Sequence, residues 1–280
     1  MQLNTLNIGL GGGSMLQSAN RCPYQNMSYV LVTPEKKVIV IDGGDCYDEE
    51  RDYLIDVIKE RGGVVDLWLM THAHNDHFGA LSKILQDKPD QIVVKDLRYT
   101  FPDLDWIYGI GEREGNLAKD FLQAVEKQKL NYKELNFKDS INVGSVNIEV
   151  LNDPHDYKDY HNLNATTAVL LVHYPERDIL FLGDLDKEAE PHMLKICDKS
   201  KLRCDVVQMA HHGQNGVSRE FYELVKPKLC LYTAPDWLYE CDNGGGKGSG
   251  PWATLETRRW CKELGSVADC PTAYGDYLFY

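Results

Sequence analysis

Nine consecutive residues, Thr71 to Gly79, read THAHNDHFG and hold three of the chain's nine histidines together with an aspartate. His72 and His74 stand two apart, so extended backbone sends both imidazoles to one side of the chain. Asp76 and His77 follow at the start of a helical stretch, where free backbone N–H groups favour a nearby carboxylate or other anion. Four side chains with lone pairs to share therefore converge on one small space. A solvated loop accounts for one such histidine, but not for three at the end of an apolar run. Imidazole combined with carboxylate suits zinc, iron or manganese rather than calcium.

The neighbouring segments say how these residues are held. VVDLWLM (Val64–Met70) reads as a buried strand ending at the motif, and GALSKILQ continues as a helix. Earlier, Leu3–Leu10, SYVLVT and KVIVID read as strands, the last two joined by the turn-like PEKK. Asp48–Arg61 reads as a helix with acids in its first turn and Gly62-Gly63 as its stop. QIVVKDLRY then reads as a strand, Arg113–Leu130 as a helix, and YKELNF and VNIEVL as strands. In the second half, ATTAVLLVHY and DILFLGD form a hairpin around Pro175–Arg177, and Lys187–Asp198 a helix. CDVVQMA is a strand leading to His211-His212-Gly213, followed by the helix Arg219–Val225, the strand KLCLYT and the helix Thr254–Leu264. Two blocks of strands with helices between them predict two sheets face to face with helices outside. This is an α/β (α+β) αββα sandwich of four layers, read as a single domain over 1–280. Phe101–Asn116 and Ala234–Trp252 read as long loops suited to lids. Trp106, Tyr108, Trp237 and Trp252 in them could stack on bases, with ordinary packing favoured for each.

THAHNDHFGA resembles the THxHxDHxGG signature of the metallo-β-lactamase superfamily. FLGDLD, with Asp184 at a strand end, QMAHHGQNG after the next strand, and IVIDGG (Ile39–Gly44) match further family segments in order. The HHG form, with NLNATTAVL before it placing Asn164 and Thr167 as an Asn-x-x-Ser-like element, most resembles the β-lactamase-like domain of ComEC-type DNA-uptake proteins and their free-standing relatives. The resemblance spans roughly Leu3 to Thr233. It implies the αββα fold and two divalent metal ions, zinc foremost with manganese or iron as alternatives. His72 and His74 would bind the first, Asp76 and His77 the second, and Asp184 would bridge. His211 or His212 would complete the second site, with His211 favoured as nearer the strand end. The chain departs from the pattern once: a family histidine should follow VNIEVL, where Asn152-Asp153-Pro154-His155 stands instead. Asp153 is carried as the substitute ligand, with Asn152, His155 and His161 as alternatives; the other reading is a weak first site with one metal dominating. His173 and His192 read as ordinary surface histidines.

Two cations about 3.5–4 Å apart can hold a water as hydroxide by lowering its pKa from about 15.7 to about 7, and can polarise a phosphoryl or carbonyl oxygen. Asp76 or Asp184 would take or relay the proton. No GxSxG elbow is present, and no cysteine has a context that recommends it as a nucleophile. The chain is therefore expected to be a metal-dependent hydrolase using a metal-held hydroxide. The ComEC-like resemblance implies a phosphodiester or nucleotide-like substrate. A small ester, lactone or thioester, or a non-catalytic binding or regulatory role on the same fold, are the alternatives. Oxygen chemistry at a di-iron centre ranks below these. The formal charge of −13 disfavours a long nucleic acid, whose backbone draws on Lys and Arg; Arg258-Arg259 and Lys247 are weak candidates for a basic strip. No apolar run approaches the roughly 20 residues of a membrane span. MQLNTLNIGLGGGSML lacks the features of a signal peptide, so a cytoplasmic location is expected. The eight cysteines form no CxxC pair. Cys204 and Cys230 read as reduced core residues, and a bridge among Cys241, Cys261 and Cys270 stays open.

Overall fold

The alternation of apolar side chains along each strand sorts the molecule into layers. The computed structural model describes residues 2–280. In the strand Val38–Asp42, Ile39 and Ile41 belong to one buried cluster, and Val38 and Val40 to another on the opposite face, as a two-residue period requires. Leu170 and Val172 face the same central cluster as Ile39, whereas Leu171 faces a third. The central cluster lies between two sheets and each outer cluster packs helices against one of them. Leu54, Ile58, Leu81, Ile84 and Phe121 cover the first sheet, and Met193, Phe221, Val225 and Cys261 the second. The expected four-layer αββα sandwich is borne out.

The first sheet runs in the order Leu3–Leu6, Asp276–Phe279, Ser14–Gln17, Ser28–Val32, Val38–Asp42, Leu67–Leu69, Leu97–Arg98 and Tyr132–Lys133. The second runs Ser140–Val143, Val146–Val150, Leu170–His173, Asp178–Phe181, Val206–Gln208, Leu229–Tyr232 and Ala268–Pro271. Val38–Asp42 pairs parallel with Leu67–Leu69, and Asp178–Phe181, Val206–Gln208 and Leu229–Tyr232 are mutually parallel. The carboxyl ends of these strands carry Asp42, the His72 motif, Asp184, His211-His212 and Thr233. In parallel arrays this is the end where loops gather into ligand crevices. The two ends are tied together: the Ala168 N–H donates to the Thr71 carbonyl at 2.8 Å. At Gly183, φ is +51°, and a Cβ would come within 2.5 Å of Thr167 Cγ2. Glycine lets these two strand ends approach.

Some local expectations change. Val64–Met70 is two short strands, Val64–Val65 and Leu67–Leu69, which pair with different partners. The break falls at Asp66, whose carboxylate accepts the Val38 N–H at 3.0 Å and meets Lys95 at 2.8 Å. Most of Phe101–Asn116 is helical rather than looped, as Leu104–Ile110 and the start of Glu112–Lys127. Its Trp106 packs edge-on against Tyr157. Trp237 and Trp252 pack on each other with ring centroids 4.8 Å apart, which follows the packing reading. Arg258 lies over the Tyr239 ring and faces Asp269, so it is engaged within the fold. All eight cysteines are free thiols, so none of the late three pair. Among the described residues, no helix is long and apolar enough to cross a membrane.

Candidate metal centre

Two sets of side chains meet at the junction of the strand ends. His72, His74 and Asp184 each place a ligand atom within 4.8 Å of the others, and so do Asp76, His77 and His212. His72 follows the strand Leu67–Leu69, while Asn75–Asp87 forms a helix that starts inside the motif and carries Asp76 and His77. Asp184 follows Asp178–Phe181 through the Gly183 turn. Gln208, fully buried, fixes that turn: its Oε1 accepts the Gly183 N–H at 2.6 Å and its Nε2 donates to the Gly183 carbonyl at 3.1 Å.

Asp184 stands between the sets. Its Oδ1 lies 3.4 Å from His77 Nε2 and 3.6 Å from His212 Nε2. Its Oδ2 lies 3.9 Å from His72 Nε2 and 3.7 Å from His211 Nε2. Asp76 Oδ2 is 3.1 Å from His212 Nε2, and His74 Nδ1 is 3.0 Å from His72 Nε2. The second set therefore contains His212 rather than the favoured His211. Both residues adopt left-handed backbone, φ +50° and +56°, which is uncommon for non-glycine residues. This turn sends His212 inward, fully buried, and leaves His211 a fifth exposed beside the other oxygen of Asp184.

Asp153 does not join either set. Its Oδ1 accepts the His155 N–H at 3.0 Å in a tight turn. Asn152 is used on both ends by backbone, donating to the Thr167 carbonyl and accepting the Val169 N–H. His155 meets Asn136, and His161 meets Glu188, both at the surface. None of these four replaces the missing family histidine.

The imidazoles of the second set are oriented from behind. His77 Nδ1 lies 2.9 Å from Asp42 Oδ2, and His212 Nδ1 2.7 Å from the Thr233 carbonyl. Both partners only accept, so each neutral ring carries its proton on Nδ1 and turns Nε2 to the centre. Thr71 Oγ1 lies 3.0 Å from each Asp42 oxygen and 3.1 Å from His72 Nδ1, extending the same support to the first set. Neither Asp42 nor Thr71 was singled out as a working residue by the sequence. The available signal was a lone acid closing the apolar run of IVIDGG.

His77 Nε2, His212 Nε2 and Asp184 Oδ1 are buried, and although they lie near one another and near Asp76, none makes a hydrogen bond of good geometry. Three unpaired groups facing one point are costly in a dry interior, and a divalent cation bound by imidazole and carboxylate removes that cost. The donor set fits such an ion. Burial holds the His72, His74 and His211 imidazoles below their ordinary value. Burial pushes the Asp184 carboxyl up, but the imidazoles of His212, His77 and His211 reverse this and hold it well below the carboxylate range. Asp76 is likewise lowered, burial being outweighed by His77 and His212. Burial opposes charge on His77 and His212, yet Asp184 and its neighbouring acids raise both.

A cavity of about 460 Å³ opens beside His74 and Asp76, within the size range of small-ligand sites. Its wall includes Tyr24, Asp45, Tyr47 and Arg113.

This fold and this histidine–aspartate constellation define a metal-binding protein of one family. The model of the metallo-β-lactamase superfamily matches residues 23–232, and the chain belongs to that superfamily. Solved structures share the fold at low identity. The metallo-β-lactamase fold protein YhfI from Bacillus subtilis has a TM-score of 0.55 at 11% identity, covering 95% of this chain and 99% of that one. Unliganded yeast PDE1 has a TM-score of 0.54 at 12% identity, covering 94% and 98%. CmlA, a diiron β-hydroxylase from Streptomyces venezuelae, has a TM-score of 0.55 at 12% identity; 92% of this chain covers 52% of it. A comparison with curated proteins finds no match.

Proposed function

We propose that the protein is a metal-dependent hydrolase of a small phosphodiester or nucleotide-like substrate. The observation that carries this reading is Asp184, whose two oxygens each face a separate pair of imidazoles. A divalent ion on each side, zinc foremost with manganese or iron as alternatives, would polarise the phosphoryl oxygen and make water nucleophilic near neutral pH. His72, His74 and Asp184 would hold the first ion, and Asp76, His77, His212 and Asp184 the second.

The chain's own residues complete the chemistry. Asp42 and the Thr233 carbonyl fix the rings of His77 and His212, so ordering is done before substrate arrives. Asp76 is the one carboxylate of the two sets that lines the cavity. From there its carboxylate would accept a hydrogen bond from an attacking water and orient it at the cavity side. The acidic chain and its single basic wall residue, Arg113, favour a substrate of low charge over a long polyanion. Kinship with the ComEC-type branch is supported by His211-His212-Gly213 and by Asn164, whose Nδ2 lies 3.3 Å from His211 Nε2.

The test is hydrolysis of bis-p-nitrophenyl phosphate by protein loaded with zinc, manganese or iron, alongside a lactone and a thioester. Diester turnover that chelation abolishes supports the reading. Turnover of the lactone or thioester alone moves the substrate class, and bound metal with no turnover of any moves the protein to a binding role.

A further inference from the structure

The cavity beside the metal centre is furnished for more than a phosphate. Tyr24 and Tyr47 stack at its mouth, ring centroids 5.5 Å apart and planes 24° apart. They are 54% and 37% exposed. Large aromatic rings left in water forgo burial, and two side by side at the rim of a ligand-sized cavity form a platform rather than scattered surface. Each ring in the pair keeps one outer face free of the other. Arg113 is the one Lys or Arg among the lining residues. Its side chain is 71% exposed and its ion-pair contact, with Glu114, is a loose 3.6 Å. Asp45, Asp76 and Glu114 supply the remaining charge of the wall, so a second anionic group would meet repulsion there.

We infer that this cavity binds a nucleotide-type ligand, its planar base stacked on the Tyr24–Tyr47 pair and its single phosphate between Arg113 and the His74–Asp76 edge. The inference rests on the reading of the metal centre as a phosphodiester site and names its substrate class. Stacking on aromatic side chains tolerates every base, so the platform selects an aromatic ring without selecting a sequence. Arg113 reads the phosphate by charge and contributes equally to ligands with or without a base. Neither tyrosine nor Arg113 belongs to the metal ligands, so the cavity wall and the metal centre are separable by mutation.

The experiment is calorimetric binding of thymidine 5′-monophosphate and of methyl phosphate to the zinc-loaded full chain. The wild type is expected to bind the nucleotide about 10-fold more tightly, at the low end of stacking contributions. Tyr24→Ala/Tyr47→Ala should bring the two ligands to within about twofold of each other. Arg113→Ala should weaken both by a common factor while the nucleotide preference survives. Since all three side chains are at the surface, unchanged thermal melting confirms that the variants fold. Equal binding of both ligands to the wild type, or a preference that persists in the double tyrosine variant, overturns the inference. Retained nucleotide preference with no hydrolysis of bis-p-nitrophenyl phosphate would sink the hydrolase reading and leave the nucleotide site standing.

Discussion

Two buried aspartates, Asp184 and Asp276, show how a carboxylate held for chemistry differs from one held for stability. Asp276 sits near the chain's end, 7% exposed, and every partner is a donor. Arg21 grips it with Nη1 and Nη2 at 2.8 Å each, the Tyr53 hydroxyl donates at 2.8 Å, and the Ala19 N–H at 2.7 Å. Arg21 in turn lies over the Tyr53 ring, 3.3 Å from its centroid. Asp184 is as deeply buried, yet its Oδ1 and the two imidazole nitrogens facing it make no hydrogen bond of good geometry. A satisfied carboxylate latches the strand Asp276–Phe279 between the two N-terminal strands. An unsatisfied one, ringed by imidazoles, is shaped for an ion that the chain itself cannot supply.

Exchanging the roles breaks the comparison most severely. Asp184→Ala should lose both metal equivalents and lower diester turnover on the order of a thousandfold, with the circular dichroism spectrum retained. Full turnover in that variant would show that the carboxylate does not join the two sets. Asp276→Ala should do the reverse, destabilising the fold by about 3–5 kcal/mol by stranding Arg21 while activity per folded molecule stays unchanged. Denaturant melts and titrated active sites separate the two effects.

The latch also has a pH signature. Burial pushes Asp276 up, but Arg21, the Ala19 N–H and Tyr53 outweigh it and hold the carboxyl below 3.8. A carboxyl lowered on folding contributes stability above its unfolded value, and that contribution is lost as pH falls through the folded one. Wild-type melting temperature should therefore drop below about pH 4, more steeply than that of Asp276→Ala; parallel slopes would remove the latch from acid unfolding.

A subtler substitution sharpens the metal side. Asp42→Asn keeps a residue that tolerates the left-handed backbone at φ +58° but removes the charge behind His77. Metal affinity should fall about 10-fold to 100-fold, the usual range for a residue that orients a ligand. The smallest effects are expected from Asp153→Ala and His155→Ala, which should leave metal content at the wild-type level because both residues are engaged in a surface turn.

Much of this was legible in the chain itself. THAHNDH, FLGD and AHHG each sit at the end of an apolar run, and their resemblance to metallo-β-lactamase segments marks them as candidate ligands. Arg219–Val225 is the helix expected, closed at its start by Ser218 Oγ accepting the Phe221 N–H. What stayed hidden depends on distant partners. The strand Asp276–Phe279 forms only by inserting between Leu3–Leu6 and Ser14–Gln17, which no local pattern reveals. The choice between His211 and His212 turns on two left-handed residues, and sequence distance to the strand end misjudged it. Asp153 looked like a ligand by position, but Pro154 and the His155 N–H draw it into a turn of its own.

The central claim is best tested by anomalous diffraction at the metal edge from crystals grown with zinc. The account predicts two ions, one against each oxygen of Asp184, with His72 and His74 on one and Asp76, His77 and His212 on the other. A single peak at the surface, or no ion between the two sets, would contradict it.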